Sequence, residues 1–382
     1  MIVSPTGTTV IGPDGTNMLV DAGAGGSIAA SPDAGGPTGD ATPGDDGGGG
    51  SGSSGSGSGG TGSSDSGPSG GSSSGGVGND GGFTLDGGES GSFGQWHFDD
   101  CSPKSTVLLD SGGGPNAQHA LRGSCVPGIS GLGVSIRAPR DVVEVPNAPE
   151  FAVGSRVAVA AWVFPNSVTG DQPIVIKRLN DKTSFSLGVH KKNIEMSVVS
   201  SDGTTYISQA PIAAGTWTHV AGMFDGTFVY LFINGQQFGQ IYAAGTLRDV
   251  NAPVRIGATT QSQSFDGIID EVFLSTQAIT KDTLTALACI HRPTTVAVTP
   301  TSSGPVPAGT SVHYDFKISD NDVGSCSTDS YDLFVQSPDP AIIPSNPNGF
   351  QPATPGSTID IGLDVSSSDD ADPGTSRCPG KS

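Results

Sequence analysis

Lysine and arginine are missing from the start of the chain, where the first of either is Lys104. Residues 1–92 also lack cysteine and carry a single aromatic side chain, Phe83. A stretch so poor in large apolar groups cannot bury enough surface to offset the entropy of an ordered backbone. Disorder is therefore expected over 1–92, and residues 44–82, almost all Gly, Ser and Asp, read as a flexible tether.

Positive charge stays scarce throughout. With 17 basic against 37 acidic residues, the formal net charge is −20. Phosphate backbones are held by clustered Lys and Arg, so no nucleic-acid partner is expected, and anionic lipid is disfavoured. The chain has no apolar run of the ~20 residues that a spanning helix needs, so no transmembrane segment is expected. The start, Met1-Ile2-Val3-Ser4-Pro5, has neither the basic nor the apolar region of an export leader. An exported chain would then begin upstream of Met1.

Cysteines are few and far apart: Cys101, Cys125, Cys289, Cys326 and Cys378. There is no C-x-x-C, which argues against a zinc ribbon or a thioredoxin motif. Wide spacing in an acidic, Gly-rich chain predicts disulfides and an oxidising compartment, extracellular or at the cell surface. Cys101 with Cys125 and Cys289 with Cys326 are the expected bridges, and Cys378 is left over.

Motifs of catalysis are also missing. The six histidines form no H-E-x-x-H, there is no G-x-S-x-G elbow, and the Gly-rich segments follow no strand. His219 reads as a hydrogen-bonded core or half-buried histidine.

What is present is alternation. Val157, Val159, Ala161 and Val163 alternate with Ala158, Ala160, Trp162 and Phe164. Similar runs cover Phe185–Val189, Ile194–Val198 and Trp217–Phe224, broken by Gly, Asn, Asp and Pro. This period of two is the mark of antiparallel strands. Asn234-Gly235 after Phe228–Ile233 predicts a tight hairpin into Gln236–Tyr242. A helix is expected at Lys281–Ala288, with Thr280 as its N-cap. Past Cys289, four strands at Thr295–Val298, Ser311–Ser319, Tyr331–Gln336 and Ile359–Val365 suggest a smaller module that is incomplete or pairs with another surface.

Ala161-Trp162-Val163, Trp217-Thr218-His219-Val220-Ala221, Asn234-Gly235, Ile256-Gly257 and Phe265-Asp266-Gly267-Ile268-Ile269-Asp270-Glu271-Val272 together resemble the laminin-G-like, concanavalin-A-like jelly rolls. Trp96-His97-Phe98-Asp99-Asp100-Cys101 and Cys125-Val126-Pro127-Gly128-Ile129-Ser130-Gly131 resemble a secreted bacterial subgroup of that family. The segment after Cys289 is similar to immunoglobulin-like domains. The resemblance implies an all-β protein: an antiparallel jelly-roll sandwich over 93–288, a partial immunoglobulin-like β-module over 289–368, a disordered N-terminal tail and a short tail at 369–382. It also implies that Trp162 and Trp217 fill the space between the two sheets.

Some jelly rolls of this class hydrolyse glycosides through an E-x-D-x-x-E strand that puts its carboxylates on one face. No such motif occurs, and Asp270 and Glu271 are adjacent, so no catalysis is expected. Some relatives hold a structural calcium near where the first and last strands meet. That implies a Ca2+ site from Asp99, Asp110, Asp270 and Glu271. Ligand contact falls to the loops Asn166–Asp171, Arg178–Lys182, His190–Asn193 and Ala258–Ser264. Arg178, Lys182, Lys191 and Lys192 are the one basic concentration, and Tyr206 and Tyr242 could stack on sugar. The expected work is non-catalytic binding of a glycan or protein at a bacterial cell surface. The alternatives are an accessory part of a larger secreted hydrolase, or a structural spacer.

Overall fold

The computed structural model describes residues 93–368 except 103, 120–124, 140, 260–262, 278, 300–306, 337–341 and 346–350, together with residues 2–4, 7–11 and 17–22. The expected tail at 369–382, with Cys378, and the rest of 1–92 lie outside the described residues.

Two antiparallel eight-stranded sheets stack face to face. The first runs, edge to edge, through Gln236–Tyr242, Phe228–Ile233, Thr218–Phe224, Val157–Pro165, Gly267–Ser275, Leu132–Ile136 and Cys125–Pro127, with Gly94–Trp96 also paired to Gly267–Ser275. The second begins Thr205–Pro211, Asn193–Val199, Lys182–His190, Asp171–Leu179 and Val254–Ile256, and ends in short strands back to Val107–Leu108. The alternation of the sequence sets which face is which. Val157, Val159, Ala161 and Val163 point inward against Phe185, Leu187 and Met196. Each of the valine, phenylalanine, leucine and methionine side chains adds about 1.5–3 kcal/mol when fully buried. At Gly222 the sheets press close, since a Cβ there would lie 2.5 Å from the Met196 sulfur.

The outward residues of the first sheet are buried as well. Ala158, Ala160, Met223, Tyr230, Phe232 and Phe273 form a second apolar layer beneath Leu284 of the helix Lys281–Ala286. Thr280 caps that helix by accepting the Thr283 N–H at 3.1 Å. This explains why Phe228–Ile233 is apolar on both faces.

The tryptophans correct the sequence reading. Trp162 is buried, but on the outer face of its sheet, where its indole N–H donates to the Leu287 carbonyl at 3.3 Å. Its ring lies against Gly324 of the second module, where a Cβ would sit 2.9 Å from it. Trp217 is half-buried and packs edge-on to Phe164. The indole between the sheets is Trp96, fully buried and 6.1 Å from the Phe151 ring. Position in the alternation decides this: Trp162 falls out of phase with Ala161 and Val163, so it faces away from them.

The C-terminal module holds more strands than expected. Thr295–Thr299, Ser311–Ser319, Thr358–Ser367 and Ile342–Ser345 form one sheet, in that order. Asp329–Gln336 belongs to another, between Gln351–Ala353 and Asn17–Ala22. Within the segment expected to be disordered, Ile2–Ser4, Gly7–Ile11 and Asn17–Ala22 are strands. An edge such as Asp329–Gln336 exposes backbone donors and acceptors, and a strand from the far end of the chain satisfies them. Phe316, Ile318, Tyr331, Ile361 and Leu363 make the module's core.

Candidate functional site

Both expected bridges are formed. Cys101–Cys125 and Cys289–Cys326 have Cα separations of 5.7 and 4.6 Å. The first ties the turn after Trp96 to the strand Cys125–Pro127, and the second ties the end of the helix to the C-terminal module.

The four acids proposed for calcium do not converge. Asp110 sits apart, accepting the Gln95 N–H at 2.6 Å and the Gly114 N–H, so it shapes the Gly112–Gly114 turn. Asp99 accepts the Leu132 N–H at 2.7 Å. Asp270 is fully buried and accepts the N–H groups of Ile129, Ser130 and Glu271 at 2.9, 3.2 and 2.9 Å. Glu271 pairs with His97 Nδ1 at 2.5 Å. Among the described residues, no cluster of three possible metal ligands includes any of them. Asp99, Asp110 and Asp270 each accept protein N–H groups and Glu271 faces His97, so the four are not gathered around one point.

Two glycines of the Cys125–Gly131 motif follow from this. A Cβ at Gly128 would lie 2.1 Å from Asp270 Oδ2, and one at Gly131 would lie 1.8 Å from Asp99 Oδ1. The turn must be bare for its amides to close on two carboxylates. Glu271 has φ 50 and occupies a bulge opposite Ala160–Trp162, so the strict two-face alternation fails there. Burial first, and then the Glu271 charge, push Asp270 up to about 8 against those three donors. The hydrogen bond to Glu271, with its charge, raises His97 against the effect of burial.

His219 is buried as expected, yet neither ring nitrogen has a hydrogen-bond partner. It packs edge-on to Trp162 with ring centroids 5.5 Å apart. Burial pushes its imidazole down to about 3, so it is a neutral packing group.

The outer face of the second sheet presents a different surface. Inward-facing Phe185, Leu187, Ile194 and Met196 leave Ser186, Gly188, Glu195 and Ser197 pointing out. Together they floor a cleft of about 250 Å³. A Cβ at Gly188 would lie 2.7 Å from the Gln172 carbonyl, so glycine there lets the neighbouring strand press in. One rim carries Asp171, His190 and Gln263, and the other Arg178, Thr183 and Thr205. The cleft thereby draws on all four loops picked out as ligand candidates. Asp171 pairs with His190 Nδ1, and Gln263 Nε2 donates to Asp171 at 3.4 Å. Burial pushes the Glu195 carboxyl up, while His190 and Lys191 pull it down.

The hairpin next to His190 is strained. Lys191 and Lys192 both have positive φ, 47 and 74, a conformation that favours Asn and Gly. Their N–H groups donate to Gly170 and Val168 at 3.1 and 2.9 Å, which locks the hairpin to the Asn166–Asp171 loop. Of the aromatic candidates, Tyr206 packs on the core, while Tyr242 is exposed beside Phe228. Phe238, also exposed, was not anticipated; its place in phase with Tyr242 is the signal.

A family model described as the concanavalin A-like lectin/glucanases superfamily matches residues 138–285. The match falls within the stretch whose motifs resemble the laminin-G-like jelly rolls. No curated protein matches the chain. Among solved structures, domain 4 of the extracellular arabinanase AbnA from Geobacillus stearothermophilus, in complex with arabinotriose, is 20% identical with a TM-score of 0.42; the match covers 51% of this chain and 97% of that one. The ligand-binding domain of botulinum neurotoxin serotype D, in complex with N-acetylneuraminic acid, is 10% identical with a TM-score of 0.41, over 64% and 77% of the two chains. A sialidase from Trypanosoma rangeli is 14% identical with a TM-score of 0.39, over 51% and 32%.

Proposed function

We propose that the jelly roll is a non-catalytic glycan-binding module, working outside the cell, with its site in the cleft on the outer face of the second sheet. One observation carries the reading. A sheet face walled by loops exposes a floor of hydroxyls, a glycine and a carboxyl group, Ser186, Ser197, Gly188 and Glu195. Sugars present rings of hydroxyl groups, and such a floor offers both donors and acceptors to them. The superfamily of lectins and glucanases matched by residues 138–285 supports the same ligand class. Two disulfides support an oxidising compartment.

The decisive experiment is an array of neutral and acidic oligosaccharides, followed by titration calorimetry on the best ligand. Glu195→Gln and Arg178→Ala should each weaken binding about tenfold or more, the effect of losing one charge-assisted hydrogen bond. Their unfolding midpoints should stay near that of the parent, since both groups face outward. A flat array, or unchanged affinity in both variants, overturns the cleft as the site. Release of reducing sugar from a bound ligand overturns the non-catalytic part.

A further inference from the structure

The strand Ser311–Ser319 ends in the turn Asp320-Asn321-Asp322, which leads to Val323–Gly324 and the second disulfide. Asp320 and Asp322 are only 2% and 4% exposed. Oxygens of Asp320, Asp322 and Asp329 all lie within 4.8 Å of one another. Protein donors reach this group from several sides. Asp320 Oδ1 accepts the Asp322 N–H at 2.9 Å. Asp322 accepts the Arg292 N–H at 2.7 Å and faces His291 Nδ1 at 2.7 Å. Asp329 accepts the Tyr331 hydroxyl at 3.4 Å. One atom is left out: Asp320 Oδ2 is buried and has no hydrogen-bond partner.

A buried carboxylate oxygen without a donor, beside two further carboxylates, is unfavourable unless something positive completes it. We propose that Asp320, Asp322 and Asp329 form a site for a hard divalent cation of the calcium type. The donor set is all oxygen, which suits calcium rather than a soft metal. Calcium–oxygen distances of ~2.4 Å allow two ligands of one ion to lie at most ~4.8 Å apart, and the three carboxylates fall within that reach. A competing set, Cys289, His291, Asp322 and Cys326, also falls within that reach. Both of its sulfurs are joined in the bridge, so it offers no thiolate to zinc. The cation would fasten the Asp320–Asp322 turn to the start of Asp329–Gln336, next to that bridge. This site is separate from the glycan cleft and stands without it.

The test uses the full, oxidised chain, stripped with chelator and then titrated with CaCl2. Calorimetry should show saturable binding and thermal unfolding should move up. TbCl3 should give luminescence sensitised by Tyr331, and calcium should displace it. Asp320→Asn and Asp329→Asn should each weaken calcium at least ~tenfold, as removal of a charged ligand does. Asp99→Asn should leave binding intact. Tyr331→Phe should dim the terbium signal. If folded parent protein shows no saturable calcium or terbium binding, the proposal falls. It also falls if Asp320→Asn and Asp329→Asn bind calcium as the parent does, or if binding appears only with zinc and reductant.

Discussion

His219 and Asp270 show how single buried groups write themselves into stability. Burial lowers the imidazole from 6.5 to about 3, so protons favour the unfolded chain. Its contribution is complete above 6.5 and is lost toward 3, at ~1.4 kcal/mol per pH unit. Asp270 has the opposite sign. Its value rises from 3.8 to about 8, so its contribution is complete below 3.8 and is lost as pH rises through 8. From about pH 4 to 6.5 the two slopes oppose each other, and above 6.5 Asp270 acts together with His97, whose raised value has the same sign. Urea unfolding should therefore find stability declining from pH 6.5 to 8. Asp270→Asn should make that decline shallower, leaving the part due to His97, and uncover the fall below 6.5 that His219 causes. Stability that climbs between 6.5 and 8 in the parent contradicts this assignment.

At the scale of elements, the hairpins divide into relaxed and strained. Asn234-Gly235 carries positive φ values of 47 and 74 on residue types suited to them, and Asn234 Oδ1 also accepts the His219 N–H at 2.9 Å. Lys191-Lys192 makes the same turn with residues that pay ~1–2 kcal/mol each for the left-handed region. Replacing the pair by Lys191→Asn with Lys192→Gly should stabilise the domain by about 1–2 kcal/mol in denaturant unfolding. The same double variant should bind an acidic glycan less tightly, because both ammonium groups of the hairpin beside His190 are lost. A destabilised variant would mean that the lysine stems hold the hairpin.

Across the whole molecule, the two bridges sit where separate pieces meet. Cys101–Cys125 closes 24 residues, for which loop-entropy models give about 3 kcal/mol. Cys289–Cys326 spans 37 residues and joins the helix end to the C-terminal module. Arg292 reinforces that junction by donating to the Ile129 carbonyl. Reduction should lower the unfolding midpoint of both parts. Cys289→Ser with Cys326→Ser should separate their unfolding into two transitions, seen by calorimetry. A single unshifted transition in that variant would show that Trp162 and Arg292 suffice to couple them.

Much was legible because strand alternation is a local property. The inward set at Val157–Val163, the hairpin at Asn234-Gly235, the Thr280 cap and both disulfides could be read from spacing and residue type. The face that Trp162 takes was also written in its phase, but its covering was not. Only the tertiary structure brings the helix and Gly324 over that face and leaves Trp96 between the sheets. Carboxylates were visible as a residue type, yet their partners are set by long-range contacts. Asp99 and Asp270 are taken up by a turn some 30 to 140 residues away in the chain, whereas Asp320 is left with an oxygen unpaired. The sequence by itself determined which residues could turn inward. Which buried polar atoms find a donor was decided only when distant segments met.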